Sequence, residues 1–313
     1  MNPEVFSEWL RRQGHRVVRT PSSSWFDAAP RVYQAFPFHW LIQPCEDELS
    51  LFFRRENVMA LRYSAPLEAT LGFISYHAVY AGATYGLENL GKWARKNVRR
   101  GLRNCRVEPI SFERLAAEGW PLQRDTLDRQ GRRVKVTSET WARLCLAAQY
   151  LPGFEAWGAL VQERLVASVI TFQVDDCSYM LYQQCLREYL PAHVNNALSF
   201  VVTQALISRP GIRSVFYGLH SLDAPANVDE FKFRMGYTAK PVRQRVVFHP
   251  WLQPFIHRGT HLAVKTLRRW YPGNPTLAKA EGMVRFYLEG KQALVEQDWP
   301  GCLAGRKAEL LNL

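Results

Sequence analysis

The sequence predicts an α/β (α+β) fold in which a mixed, largely antiparallel sheet is flanked by helices. Three observations carry that prediction. Residues 154–184 alternate between apolar and polar side chains in three short runs separated by polar turns, the pattern of an antiparallel meander. Residues 87–102 change to a helical period. Residues 213–248 read as strand, loop, short helix closed by Gly236, and strand.

The elements follow in order. Residues 4–13 form a short amphipathic helix. Residues 30–85 are rich in aromatic and β-branched side chains, with strand-like pieces at Val32–Phe36, Leu49–Phe53, Val58–Tyr63 and Gly72–Tyr80. The next helix places Leu87, Leu90, Ala94, Val98 and Leu102 on its core face. Its other faces carry Lys92, Arg95, Lys96, Arg99, Arg100 and Arg103, and no acid occurs from Lys92 to Arg106. A strand at 106–110 precedes a helix capped by Ser111, and another helix starts near Ser138. The meander occupies Phe154–Val161, Leu165–Val174 and Ser178–Gln184. A helix over about 195–208 follows, opened by Asn195 and Asn196, one of which caps it, and ended by Pro210-Gly211. Then come a strand at Arg213–Tyr217, a loop over 218–226, the helix bearing Lys232 and a strand at Val242–Phe248. Beyond Pro250, Trp251, Phe255, Leu262, Leu267 and Trp270 alternate with Arg258, Lys265, Arg268 and Arg269, and a last helix spans about 277–295. Three regions are expected: an aromatic β lobe at 1–87, the main domain at 88–250, and a helical appendage at 251–313.

Composition bounds the function. The 313 residues are 47% hydrophobic, enough for a sizeable core. A net charge of +12 points to a polyanionic partner: nucleic acid, a phosphorylated co-substrate or an anionic membrane surface. The six cysteines form no C-x-x-C pair, which suits a reducing compartment and gives no reason to expect a metal site. The N-terminal residues carry early acids and do not read as a signal peptide, and no apolar run reaches the roughly 18 residues of a membrane span. The expectation is a cytoplasmic protein without a transmembrane segment. Peripheral membrane contact through the basic, Trp-bearing stretch 251–270 is an open alternative to packing on the main body.

The basic helix Arg95–Arg103, the Asn195-Asn196-Ala197-Leu198 helix opening, and Phe231-Lys232 four residues before Gly236-Tyr237 resemble the GNAT acyltransferase superfamily in its Fem-like and BioF2-like acetyltransferase-domain branch. The element order across 88–248 matches a GNAT domain, and the first third resembles a truncated N-terminal GNAT-like lobe. The resemblance implies transfer of an acyl or aminoacyl group to an amine on a small molecule or peptide. The donor would be aminoacyl-tRNA or acyl-CoA, acting as a co-substrate with no tightly bound cofactor. Members that use acetyl-CoA carry a glycine-rich pyrophosphate turn after the central strand. Here that place, residues 184–195, holds no glycine. The Fem-type branch also lacks those glycines and uses aminoacyl-tRNA. The long helical hairpin of its peptidoglycan-bridge enzymes has no counterpart between Glu108 and Phe154.

Acyl transfer to an amine needs a positioned nucleophile, a stabiliser for the oxyanion and a proton for the leaving group. The resemblance places Lys232 near the reacting ester, where an ammonium can serve the second or third need. The alternative is a surface lysine between Glu230 and Arg234. His220 and Asp223, in the loop after a strand end, are candidate bases for the amine, with solvation and turn capping as their plainer roles. Tyr217 borders the same loop. Phe231 reads as core, although its place beside Lys232 matches the family. Asp229 and Glu230 read as first-turn acids of the Lys232 helix. Asn195, Asn196, Arg187 and His193 are candidate donor contacts at a helix N-terminus, and Arg99 and Arg103 are candidate phosphate contacts. A second basic cluster lies at Gln130–Lys135. Two other classes stay open: a non-catalytic RNA- or nucleotide-binding protein of this fold, and a peripheral membrane acyltransferase acting on a lipid-linked amine.

Overall fold

The computed structural model describes residues 2–131, 137–222 and 229–311. Asp223 and the basic residues at 132–135 lie outside the described residues. In chain order, α1 (Pro3–Arg12) is capped by the Asn2 side chain and leads to β1 (Val17–Arg19), β2 (Ser24–Ala29) and β3 (Val32–Phe36). Then come α2 (Glu46–Glu56), β4 (Ala60–Ala65), β5 (Phe73–Tyr80), α3 (Lys92–Asn104) and β6 (Arg106–Ile110). Three helices follow: α4 (Phe112–Glu118), capped by Ser111 as expected, α5 (Trp120–Arg129) and α6 (Ser138–Ala148). The meander is β7 (Phe154–Val161), β8 (Arg164–Val174) and β9 (Cys177–Cys185). It is followed by α7 (Val194–Ile207), β10 (Ser214–Leu219), α8 (Glu230–Arg234) and β11 (Thr238–Phe248). The chain then turns helical, with α9 (Arg258–Trp270), α10 (Pro275–Glu289), α11 (Gly301–Ala304) and α12 (Lys307–Leu310). The fold class is the expected one, mixed and largely antiparallel with helices.

Two compact units are built from non-contiguous pieces of chain. The first holds Met1–Gln13, Ala78–Gly218 and Asn227–Thr238; the second holds Gly14–His77, Leu219–Ala226 and Ala239–Leu313.

In the first unit the strand order is β10-β9-β8-β7-β6. Every pairing in it is antiparallel except β9 with β10, which is parallel. The parallel register joins only Ser214 with Cys177, Val215 with Ser178 and Phe216 with Tyr179. Beyond it β9 runs on to Cys185 without β10. On its other side β9 carries a bulge: Ser168 faces Gln184 and Ile170 faces Leu181, so Tyr182 and Gln183 stand opposite Val169 alone. Tyr182 takes a φ of +50°, and such a bulge re-aims the neighbouring side chains. Aromatic packing of Phe6, Phe154, Phe172 and Tyr179 anchors α1 to this sheet.

Helices α3 and α7 pack closely because Gly101 meets the His193 carbonyl, where any Cβ would collide. This corrects the expected core face of α3. Ala94, Val98 and Gly101 are buried, whereas Leu102 is exposed. Spacing alone favoured the leucine, but the close approach of two backbones favours the glycine beside it.

In the second unit the strand order is β1-β2-β3-β4-β11-β5. Residues 49–53, expected as a strand, lie in α2. Acids at Glu46, Asp47 and Glu48 and bases at Arg54 and Arg55 match the helix dipole, and Leu49, Phe52 and Phe53 form one buried face. Those side chains pack with Trp25, Tyr33, Leu61 and Tyr63. Helix α10 sets Phe286 against Phe73 at 4.7 Å between ring centroids, and the Gly72 N–H donates to the Gly290 carbonyl at 2.9 Å.

Candidate active site

Helix α8 is short and closes on Gly236, whose φ of +84° is the left-handed turn expected there. Tyr237 just beyond it is buried, with its hydroxyl 2.7 Å from Thr203 Oγ1, and Met235 O accepts from the Tyr85 hydroxyl at 2.7 Å. These anchors hold a five-residue helix that could not persist alone.

Lys232 is therefore fixed and turned inward. Its side chain is 14% exposed, and Nζ lies 2.6 Å from Asp229 Oδ1, itself 8% exposed. The same ammonium lies 5.1 Å from the centroid of the Tyr217 ring, within cation–π range. A Cβ built on Gly218 would sit 3.5 Å from Nζ, so the backbone at the end of β10 passes directly beside it. The plain surface-lysine reading is thus corrected. Asp229 occupies the N-cap, where its charge complements the helix dipole, and it also holds Lys232 through i,i+3 spacing, while Glu230 is the first-turn acid.

Tyr217 links this cation to the open end of the parallel pair. Its hydroxyl donates to Gln183 Oε1, and Gln183 Nε2 donates to Asn195 Oδ1 at 2.8 Å. Burial pushes the Tyr217 phenol well above its ordinary value, and the Asp229 charge adds to this, so it stays a neutral donor. Gln183 reaches Tyr217 from the bulge in β9. The site thus assembles at the carboxyl end of two diverging parallel strands, where open sheets present ligand sites.

Asn195 and Asn196 lie inside α7. His193, in the left-handed region at φ +60°, occupies the N-cap, and no side chain caps the helix. The expected asparagine cap is corrected: Asn195 is spent on Gln183, and Asn196 Nδ2 faces Met235 Sδ at 3.5 Å. Burial, with the charges of Arg100 and Lys96, lowers the His193 pKa, against a hydrogen bond with Asn196 that raises it. Arg187 is exposed and its backbone N–H donates to Asp125. Arg99 and Arg103 are exposed on α3 and form no ion pair among the described residues. Arg95 instead donates to the carbonyls of Leu87 and Leu90, a structural use. Phe231 is half-buried.

His220 belongs to the second unit. Its ring stacks on Tyr76 at 4.7 Å between centroids, its Nδ1 lies 3.1 Å from Ser75 Oγ, and its carbonyl accepts from Arg62 at 2.9 Å. Asp229, Gln183 and Gly218 are the site residues that sequence reasoning missed. Only Asp229 left a signal, its i,i+3 spacing from Lys232. Among the described residues no group of His, Cys, Asp and Glu could hold a metal ion, and no helix is long and apolar enough to cross a membrane.

No family model and no curated protein matches the sequence. Solved structures do match. FemX superposes with a TM-score of 0.53 at 10% identity, covering 80% of this chain and 92% of its own. The C-terminal DUF2156 domain of an Agrobacterium fabrum protein named as a lysylphosphatidylglycerol synthetase gives 0.51 at 12% identity, covering 77% and 86%. A conserved protein of unknown function from Bacteroides thetaiotaomicron gives 0.51 at 9% identity, covering 78% and 88%. The chain therefore has the GNAT/Fem-like fold that its residues resembled.

Proposed function

We propose that this protein transfers an acyl or aminoacyl group from an activated donor to an amine, with Lys232 as the catalytic cation. The observation that carries this reading is the Lys232 ammonium, held by Asp229 over the Tyr217 ring beside Gly218. A cation fixed in a desolvated setting stabilises charge far better than one in water. The amine nitrogen attacks the acyl carbon and the carbonyl oxygen becomes an oxyanion. Collapse then breaks the bond to the donor's ester or thioester atom. Lys232 opposes the oxyanion charge or gives its proton to the departing atom. The amine enters neutral, and its proton passes to solvent once the new C–N bond has formed.

For the donor, the glycine-free segment 184–195 and the fold likeness to FemX favour aminoacyl-tRNA over acyl-CoA. The exposed Arg99 and Arg103 suit phosphate contacts. The test incubates the full chain with tRNA charged with labelled amino acids, and separately with acyl-CoA, each with a mixture of amines. Label should pass from charged tRNA to an amine, and Lys232→Met should slow that transfer by about 10²–10³-fold without lowering tRNA affinity. Salt-sensitive tRNA binding with no transfer from either donor would replace this reading with RNA binding.

A further inference from the structure

Helix α9 presents a surface that the proposed transfer reaction does not use. Its inner side is fixed by charge: His261 Nε2 and Arg268 Nη1 reach the buried Glu281 of α10 at 2.8 and 2.9 Å. Arg258, Leu262 and Lys265 border that side and line a groove with Leu288, Glu289 and Gln292. Arg258, Leu262, Lys265 and Arg269 recur at i, i+4, i+7 and i+11 and form one strip. Leu262, Thr266 and Trp270 recur every fourth residue and form the strip beside it.

The exposures are unusual for apolar side chains. Leu262 is 65% exposed and Trp270 is 72% exposed, and Tyr271 follows at 59%. The segment leading into α9 leaves Phe255 at 64%. Apolar side chains this open and this close in sequence mark an interaction surface rather than scattered surface residues. Arg258, Lys265 and Arg269 form no ion pair among the described residues. No acidic residue occurs anywhere between Glu230 and Glu281. Glu289 of α10 lines the groove beside Arg258 and Lys265, and the cations are still in excess; protruding leucine and tryptophan beside that excess match the boundary between acyl chains and anionic head groups.

We propose that α9 docks this protein on an anionic phospholipid bilayer. The helix lies in the plane of the surface, Leu262 and Trp270 enter the acyl boundary, and Arg258, Lys265 and Arg269 meet phosphate. At 13 residues, α9 fits lying on a bilayer rather than crossing it.

Co-sedimentation of the full chain with vesicles tests this. Binding is expected to phosphatidylcholine vesicles carrying about a third phosphatidylglycerol, and to be weak without it. The triple variant Arg258→Gln/Lys265→Gln/Arg269→Gln should lose roughly a hundredfold in partition, given the attraction each cation contributes near such a surface. Trp270→Ala should lose roughly tenfold by removing buried apolar area. The pair Arg99→Gln/Arg103→Gln on α3 should bind as the parent does. The thermal midpoint of each variant, expected unchanged because every altered side chain is exposed, separates docking from misfolding. Equal binding by the triple variant, or equal loss from the α3 pair, would overturn the proposal. So would a triple variant that loses RNA binding while keeping vesicle binding, since α9 would then be a nucleic-acid surface.

Discussion

Each unit holds a buried ionic centre, and the two are built to opposite rules. In the second unit a single carboxylate, Glu281, faces His261, Arg268 and Arg285 at 2.8, 2.9 and 3.7 Å. Cations outnumber the anion, the carboxylate is saturated, and the pairs join α9 to α10. In the first unit a single ammonium faces Asp229 on one side and the Tyr217 ring on another, with the backbone at Gly218 close by. An ammonium carries three N–H donors, so among the described residues this cation keeps donors to spare. A saturated centre holds elements together. A centre with spare donors stores charge stabilisation for something that arrives, and removing its members should cost rate before it costs stability.

The largest effect expected from that contrast is on turnover. Lys232→Met should lower amine acylation by about 10²–10³-fold, the usual consequence of removing one oxyanion donor. Asp229→Asn, which keeps the shape and loosens the ammonium, should cost about tenfold if Asp229 acts by positioning. Both are read as steady-state rates beside thermal midpoints. If the midpoint falls as steeply as the rate, the first centre is structural like the second.

Glu281→Ala should do the reverse. It leaves Arg268, Arg285 and His261 without their shared partner, and the expected loss is about 3 kcal/mol in urea unfolding, at the lower end for a broken buried pair because these side chains are partly exposed. Arg268→Gln alone should cost under about 1 kcal/mol, since that side chain is 41% exposed. An equal cost from both would mean that Glu281 is not the hub.

The second unit holds another closed polar chain, and it sets a pH dependence. Arg62 donates to Gln244 at 3.0 Å, Gln244 donates to Ser64, and Ser64 Oγ lies 2.8 Å from His77 Nε2. Burial, reinforced by the charges of Lys240, His39 and Arg62, lowers the His77 pKa from 6.5 to about 3. The unfolded chain thus takes a proton below pH 6.5 that the folded one refuses until about pH 3. The stability that His77 contributes is complete above pH 6.5, is lost progressively as pH falls, and stops falling below about 3. Between pH 7 and 5 this one group should remove about 2 kcal/mol. His77→Gln should flatten the acid limb of an unfolding series by that amount, and an unchanged limb would show His77 to be protonated in the fold.

How much of this was legible in the sequence depends on the range of the interaction. The meander was legible because alternation is a local pattern, and α8 because Gly236 punctuates it. Residues 49–53 were not, because five apolar-rich positions fit either period, and the flanking charges that decide for α2 act only once a helix exists. The choice of Gly101 over Leu102 depended on α7, about ninety residues away. In the site, Lys232 stood out on its motif. Gln183 did not, because it is placed by a bulge that has no sequence signature in Tyr182-Gln183. Asp229 was visible but assigned to the helix dipole, which is the commoner use of an acid at that position.

Two glycines also separate the two centres. Gly282 lies on α10 with ordinary helical backbone, and a Cβ there would strike the Leu222 carbonyl. Its role is space. Gly282→Ala must displace the helix or Leu222, at about 2 kcal/mol, because closely packed elements transmit overpacking. Gly218 has the opposite character. Its φ of +149° lies outside the range that L side chains favour, while the nearest atom to an added Cβ, Lys232 Nζ at 3.5 Å, is at ordinary contact distance. Its role is conformation. Gly218→Ala should cost about 1 kcal/mol of strain. It should also alter the rate with the best donor, since relaxing that strain turns the end of β10 away from the ammonium. Gly282→Ala should leave the rate alone at temperatures where the protein stays folded. Paired unfolding and rate measurements on the two alanine variants decide it: a rate change in Gly282→Ala, or none in Gly218→Ala, would remove the distinction between a centre that braces and a centre that reacts.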